Sequence, residues 1–331
     1  QVAQRGTSIT GVGGGSDFLL DRWIIGGGST AGRLTMSQDS DGPAGFANSL
    51  KLDCTTADTS IAAAEQSYII YKFEGQDLQQ LKKGTSSAES MTLSFYVKGN
   101  AAATYTAEFY DADNQRHNGQ TFSVTTSWNK VTLTYVPDTT GAYNDDNALS
   151  LYLFIWIHAG SEFTSGTFTS NTWLSNDATR RIADQTSFYD STSRTLNITG
   201  VQLEVGSGTD FEHRSYGEEL ALCQRYYENL MTKEGQSMLI SAWAYSVGQV
   251  QGVLRFAVDK RATPTMGYEV GIAYQGPNQT ARTDVTPLFY IPSIKSVMVY
   301  ANNGVSVTVG QGTNLVNRDN GTGMIFADAE L

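Results

Sequence analysis

Apolar residues recur along most of the chain in short alternating runs broken by Gly, Ser, Asn and Asp, which is the pattern of an antiparallel all-β protein. Runs of strand length, enriched in β-branched or aromatic residues, fall at 22–25, 49–54, 67–73, 91–98, 105–110, 130–135, 149–157 and 196–205. Within 91–98 the odd positions Met91, Leu93, Phe95 and Val97 are apolar, so they would share the face that meets another sheet. Residues 130–135 repeat this period of two. Residues 149–157 are apolar at nearly every position, which predicts a central strand with one face on the core and the other on a neighbour, a candidate subunit contact. So many strands before residue 212 predict a sandwich. Residues 77–83, with Leu78 and Leu81 at i, i+3, predict about one helical turn closed by Gly84.

The pattern then changes. Residues 216–231 predict a helix, with Glu218 and Glu219 in its first turn and a stripe formed by Leu220, Cys223, Tyr227 and Leu230, widened by Leu222 and Tyr226. The stripe has two readings, a helix packed on a sheet or a helix meeting copies of itself around a symmetry axis. The second makes Leu220, Cys223, Tyr227 and Leu230 candidate oligomer-interface residues. Alternation returns at 238–245, 249–258, 265–270, 295–300, 304–309 and 323–327. The expected organisation is an all-β domain over 1–212, a connecting helix over 213–232 and a second, smaller β domain over 233–331.

Composition narrows the function. Against 33 Asp plus Glu stand 22 Lys plus Arg, and a net charge of −11 opposes nucleic-acid binding. No apolar stretch reaches the roughly 18 to 20 residues of a membrane-spanning helix. Seventeen Tyr, 14 Phe and 5 Trp supply ample core material. Cys54 and Cys223 lie far apart, without a CxxC spacing or a disulfide framework, and are expected to be buried free thiols. The chain opens at Gln1 without a Met or a leader, the expectation for a processed product or a piece of something larger.

Catalytic chemistry finds little support. His117 lies in a polar turn at 113–119, His158 closes the apolar strand and His213 lies at the domain junction, with neither GxSxG nor HExxH in the chain, so no catalytic residue is assigned. Glu162, Asp145, Asp146 and Asp177 are available as glycosidase carboxylates, yet their Gly-, Ser- and Asn-rich loops favour solvated side chains. The glycine clusters at 13–15 and 26–28 precede no predicted helix and read as turns or connectors rather than phosphate loops. Residues 39–42 share the opening of a calcium loop without its later ligands; a turn is expected, no cofactor is assigned, and a structural calcium elsewhere is left open. Asn197, Asn278 and Asn320 begin glycosylation tripeptides that matter only in a eukaryotic secretory setting.

Recognition remains. In loops 139–147 and 170–177 an aromatic ring would stack on a sugar while neighbouring carboxylates and amides take its hydroxyls. Tyr143, Asp145, Asp146, Trp173, Asn176 and Asp177 are therefore the glycan-binding candidates. Trp173 has a competing reading as a core or interface anchor, and Trp23, Trp128 and Trp156, in or beside strands, read as core.

Three stretches carry a family resemblance: Gln4-Arg5-Gly6-Thr7-Ser8 followed by Leu20-Asp21-Arg22-Trp23, then SMTLSFYVKG at 90–99, and, most distinctive, ITGVQLEVGS at 198–207 with FEHRSYGEELALCQRYY at 211–227. Together they resemble phage tail-fibre and related virion surface proteins with a carbohydrate-binding-module-like jelly roll. Residues 255–256 and 259–265 resemble, more loosely, the terminal β domain of such proteins. The resemblance implies a jelly-roll sandwich, a trimer or other symmetric assembly, exposure on the virion and no catalytic residues. The expected protein is a non-enzymatic, homotrimeric fibre tip. Its expected partners are itself, a host cell-surface polysaccharide or lipopolysaccharide and other virion proteins, with neither nucleic acid nor membrane insertion. Two alternatives stand beside it: a decoration or head-fibre protein with purely structural contacts, and a polysaccharide depolymerase, which needs a close, partly buried carboxylate pair in a groove.

Overall fold

The strand-length runs of the first two-thirds of the chain pair into two facing antiparallel sheets. The computed structural model describes residues 2–230, 238–269, 271–275, 283–305, 307–317 and 324–331. It divides the chain into two units, one of residues 1–214 with Leu331 and one of residues 215–330. In the first unit the strands are β1 (Ser8–Val12), β2 (Ser16–Phe18), β3 (Ile24–Gly28), β4 (Arg33–Asp39), β5 (Ser49–Thr56), β6 (Gln66–Glu74), β7 (Met91–Gly99), β8 (Ala103–Asp111), β9 (Arg116–Val124), β10 (Asn129–Tyr135), β11 (Leu149–Ala159), β12 (Leu174–Ser175) and β13 (Thr195–Val205). One sheet runs β1-β4-β5-β13-β7-β10 and the other β12-β9-β8-β11-β6-β3-β2. This is a jelly-roll β-sandwich.

The alternation places Leu93, Phe95 and Val97 of β7 in one core with Leu151, Leu153 and Ile155 of β11 and with Tyr105, Ala107 and Phe109 of β8. The Tyr135 hydroxyl donates to Ala107 O at 2.9 Å, so a polar tip inside the core has its partner.

Three local expectations change. Residues 26–28 are strand β3 rather than a turn: a Cβ at Gly26 would lie 2.7 Å from the Tyr68 ring, so glycine there admits close packing across the sheet. Residues 116–119 belong to β9, and the turn is confined to 112–115, where Gln115 takes a φ of 52°. The helical turn is a 3₁₀ segment, Gly75–Leu81, stopped by Lys82 in the left-handed region instead of by Gly84.

A short helix, α1 (Ser161–Thr164), follows β11 in the first unit; in the second unit the helix α2 spans Tyr216–Gln224, opened by a capping box in which Ser215 and Glu218 satisfy each other's backbone N–H groups. It ends earlier than the stripe predicts; residues 225–230 are not helical, and Met231 lies outside the described residues. Lys260 supplies the reason: its buried Nζ donates to Gln224 O at 2.6 Å and pairs with Glu228, placing a cation at the helix C-terminus. The chain then extends as β14 (Tyr227–Asn229).

The remaining strands are β15 (Met238–Ser246), β16 (Gly248–Arg255), β17 (Thr265–Glu269), β18 (Ile272–Gln275), β19 (Thr283–Asp284), β20 (Thr286–Tyr290), β21 (Ser296–Val305), β22 (Gly312–Asn317) and β23 (Met324–Asp328). They form a three-stranded sheet, β14-β23-β17, and a seven-stranded sheet, β19-β18-β22-β15-β16-β21-β20, around Ile240, Val250, Leu254, Val299, Leu315 and Ile325. The strand expected at 304–309 is the end of β21, and 307–310 lie in no strand.

The expected helix stripe is therefore redistributed. Cys223 and Tyr227 are buried inside the second unit, and Tyr227 stacks on Phe326 with ring centroids 5.7 Å apart. The Leu230 N–H donates to Ile325 O at 2.9 Å, and its side chain packs on the same core. Of the four candidates only Leu220 and Cys223 lie on the helix, and Leu220 is half-buried.

Candidate functional site

The loop residues expected to bind glycan split into two groups. Tyr143 and Trp173 come together, but around a buried cation. The Lys83 Nζ lies 2.6 Å from Asp111, 3.1 Å from Asp138 and 2.7 Å from the carbonyls of Thr140 and Gly141, with the Tyr143 and Trp173 rings 5.1 and 5.8 Å away. Tyr143 is buried in the sandwich core, Trp173 is half-buried with its indole N–H on Val136 O at 2.9 Å, and Arg116 pairs with the same Asp138. These rings cover a polar knot, with Tyr143 buried rather than standing on an open loop and Trp173 half-buried, as its reading as a core anchor expects.

Asp145, Asp146 and Asn176 are exposed, and Asp177 is half-exposed. Asp146 accepts the Ala148 N–H and Asp177 caps the short turn Ala178–Arg180 through Thr179 N–H, so both hold turns. Burial sets these two groups apart: rings that can cover a desolvated lysine go inward, and carboxylates that shape turns stay in water.

A different array of aromatics occupies the outer face of the seven-stranded sheet of this unit. Register aligns three rows across it: His117, Tyr110, Tyr152 and Lys72; then Glu108, Phe154, Ile70 and Ile24; then Thr106, Trp156 and Tyr68. Tyr152 stacks on Phe154 at 5.1 Å, and Tyr68 meets Phe154 and Trp156 edge-on at 4.9 and 4.8 Å. Trp156 and Phe154 are buried, whereas Tyr68, Tyr110, Tyr152 and Lys72 are half-exposed.

Arg181, from the segment between β12 and β13, fixes this array. Its guanidinium lies 4.9 Å from the Tyr110 ring and 5.2 Å from both Phe154 and Trp156, and it grips Glu108 with two bonds of 2.8 Å. Glu108 also accepts the Trp156 indole N–H at 2.7 Å. Burial alone would raise the Glu108 carboxyl, but the charge and hydrogen bonds of Arg181, with His117 close by, outweigh it and hold the group below the usual carboxylate range. Burial raises the Tyr68, Tyr110 and Tyr152 hydroxyls, so they stay protonated at neutral pH, and the Tyr110 hydroxyl donates to Gln115 Oε1 at 2.6 Å. The arrangement is a rigid, partly exposed aromatic platform with hydroxyls at its rim.

The sequence reading missed this platform, although part of its signal was visible. Tyr152, Phe154 and Trp156 alternate along the fully apolar run 149–157, whose second face was expected to meet another subunit. That face is covered in part by Phe163, Arg181 and Ile182 of the same chain.

His158 forms a second polar constellation. Its Nδ1 is 2.8 Å from Ser187 Oγ and its Nε2 is 3.0 Å from Glu65 Oε2, the order of hydroxyl, imidazole and carboxylate used in nucleophilic catalysis. Yet the ring is fully buried, and Ser187 Oγ already accepts the Tyr189 N–H as the cap of Phe188–Asp190. The set acts as a clamp between β6, β11 and that turn. His117 is buried beside Glu108 at 3.3 Å, and exposed His213 packs on Phe46 and Phe211. Cys54 and Cys223 are buried and form no disulfide. Among the described residues no three His, Cys, Asp or Glu side chains gather as a metal site.

No protein-family model matches the chain, and no curated protein matches it. Among solved structures, the family 11 carbohydrate-binding module from Clostridium thermocellum, in complex with a β-1,3-1,4-mixed-linked tetrasaccharide, is 12% identical, with 62% of this chain and 98% of that one covered and a TM-score of 0.31. The N-terminal cellulose-binding domain of Cellulomonas fimi β-1,4-glucanase C is 13% identical over 56% of this chain and 90% of that one, with a TM-score of 0.30. A family 30 carbohydrate-binding module is 15% identical over 65% and 89%, also at 0.30.

Proposed function

We propose that this chain is a glycan-binding protein of a virion surface, the receptor-binding tip of a tail fibre assembled as a homotrimer, which holds host cell-surface polysaccharide or lipopolysaccharide without cleaving it. The observation that carries the reading is the platform of Tyr68, Tyr110 and Tyr152, half-exposed and locked by register and by Arg181. Such rings lose little freedom on binding; the Tyr68 and Tyr152 hydroxyls offer donors and acceptors to sugar hydroxyls, and the Tyr110 hydroxyl, already donating to Gln115, offers an acceptor. The virion setting is supported only by the sequence resemblance carried by residues 4–8, 20–23, 90–99 and 198–227. Multivalency would raise the avidity of weak single sites.

The test is a glycan array and whole-cell binding by the full chain, beside Tyr152→Ala and Tyr110→Ala and with a reducing-sugar assay. Each variant is expected to bind at least tenfold more weakly, about 1.4 kcal/mol, with no sugar released. Binding to no glycan and no cell would reduce the reading to a virion protein with structural contacts, and sugar release would make it a depolymerase.

A further inference from the structure

The seven-stranded sheet of the second unit covers its core with one face; the other face is apolar and exposed. Register puts Trp243 opposite Gln251, Gln251 opposite Tyr300 and Tyr300 opposite Leu288, with Val253, Met298 and Tyr290 in the adjoining row. Trp243 is 41% exposed, Val253 47%, Leu288 45% and Tyr290 59%. Soluble surfaces carry single apolar residues freely, but contiguous patches of this kind mark contact sites. With strands about 4.8 Å apart and outward positions about 6.8 Å apart, two rows over four strands give roughly 250 Å² of platform. That is about a third of the ~800 Å² that each partner contributes to a standard interface, which leaves the remainder for a polar rim.

We infer that this face, centred on Gln251, is where copies of this chain meet. Three observations favour a second copy as the occupant. The chain carries a net charge of −11, so copies repel each other wherever carboxylates face, and none of the platform residues named here is acidic. Aliphatic Val253 and Leu288 stand among the rings, a composition that suits protein packing better than sugar stacking. Gln251, at the centre, is 6% exposed and its Oε1 is buried, so the middle of the face presents rings and aliphatic groups rather than a polar group reaching out to a sugar hydroxyl.

The inference rests on the self-assembly part of the proposed function and is independent of glycan binding. Sedimentation velocity of the full chain tests it, comparing wild type with Val253→Glu, Leu288→Glu and, as a control on the first unit, exposed Ser87→Glu. Wild type and Ser87→Glu are expected to sediment as one oligomer, and both platform variants as monomers with unchanged far-UV circular dichroism. The apparent dissociation constant should rise at least 100-fold. Platform variants that remain oligomeric would overturn the assigned face while leaving self-assembly standing. A monomeric wild type would overturn both.

Discussion

Arg181 shows how one side chain couples stability to the geometry of the aromatic platform. Its charge is neutralised by Glu108 and spread against three rings, so removing it leaves a buried carboxylate unpaired and a gap in the platform. Arg181→Leu is expected to cost about 3–5 kcal/mol of unfolding free energy, read from urea denaturation. Lys82→Ala removes only the exposed pair with Glu89 and should leave the midpoint unchanged. The same cluster predicts acid sensitivity. Glu108 is held below the usual carboxylate range when folded, so its contribution is fully present above the unfolded value of about 4.3 and is lost as pH falls through the folded value. The urea midpoint should therefore fall as the pH drops below about 4, and an Arg181→Leu variant should lose this dependence. Little of this was legible in the sequence. Tyr143 stood in a polar loop and read as a sugar-stacking residue, and Trp173 kept two readings, because local composition does not report that Lys83, far from both in sequence, brings a charge they cover.

At the scale of elements, the distinctive stretch after residue 195 encodes a strand that bends and then crosses its own sheet. Register shifts between Thr199 and Gln202, where Gly200 takes a φ of 60° and a Cβ would lie 2.7 Å from the Phe46 ring. Glu204 then accepts the Thr209 N–H at 3.0 Å, Gln202 accepts the Glu212 N–H at 2.7 Å, and Phe211 and His213 pack on Phe46 at 5.0 and 5.2 Å. Gly200→Val is expected to lower stability by at least about 1–2 kcal/mol from the backbone conformation alone, seen as a drop in the first unit's thermal midpoint. Strands with clean alternation, such as β7 and β10, were legible because their pattern faces one core. Strand β9 was not, because His117, Asn118 and Gly119 occupy buried positions that apolar residues usually fill. The early end of α2 was equally hidden, since its stop is Lys260, distant in sequence.

For the whole molecule, the fold class followed from the repetition of strand signals, whereas the sites did not, because each depends on which face of a strand another segment covers. The two units offer separable surfaces, an aromatic platform on the first and an apolar sheet face on the second. If copies associate through the second, a monomeric Val253→Glu chain should bind a soluble oligosaccharide with the wild-type dissociation constant. Its retention on whole cells should fall about 10²-fold as multivalency is lost.

The most direct test of the central claim is calorimetric titration of the full chain with the best-binding oligosaccharide, comparing Tyr152→Ala on the sheet platform with Asn176→Ala on the loop. The platform account predicts that Tyr152→Ala weakens binding at least tenfold and that Asn176→Ala leaves it unchanged. Undiminished binding by Tyr152→Ala, with loss in Asn176→Ala, would contradict it and move recognition to the loops.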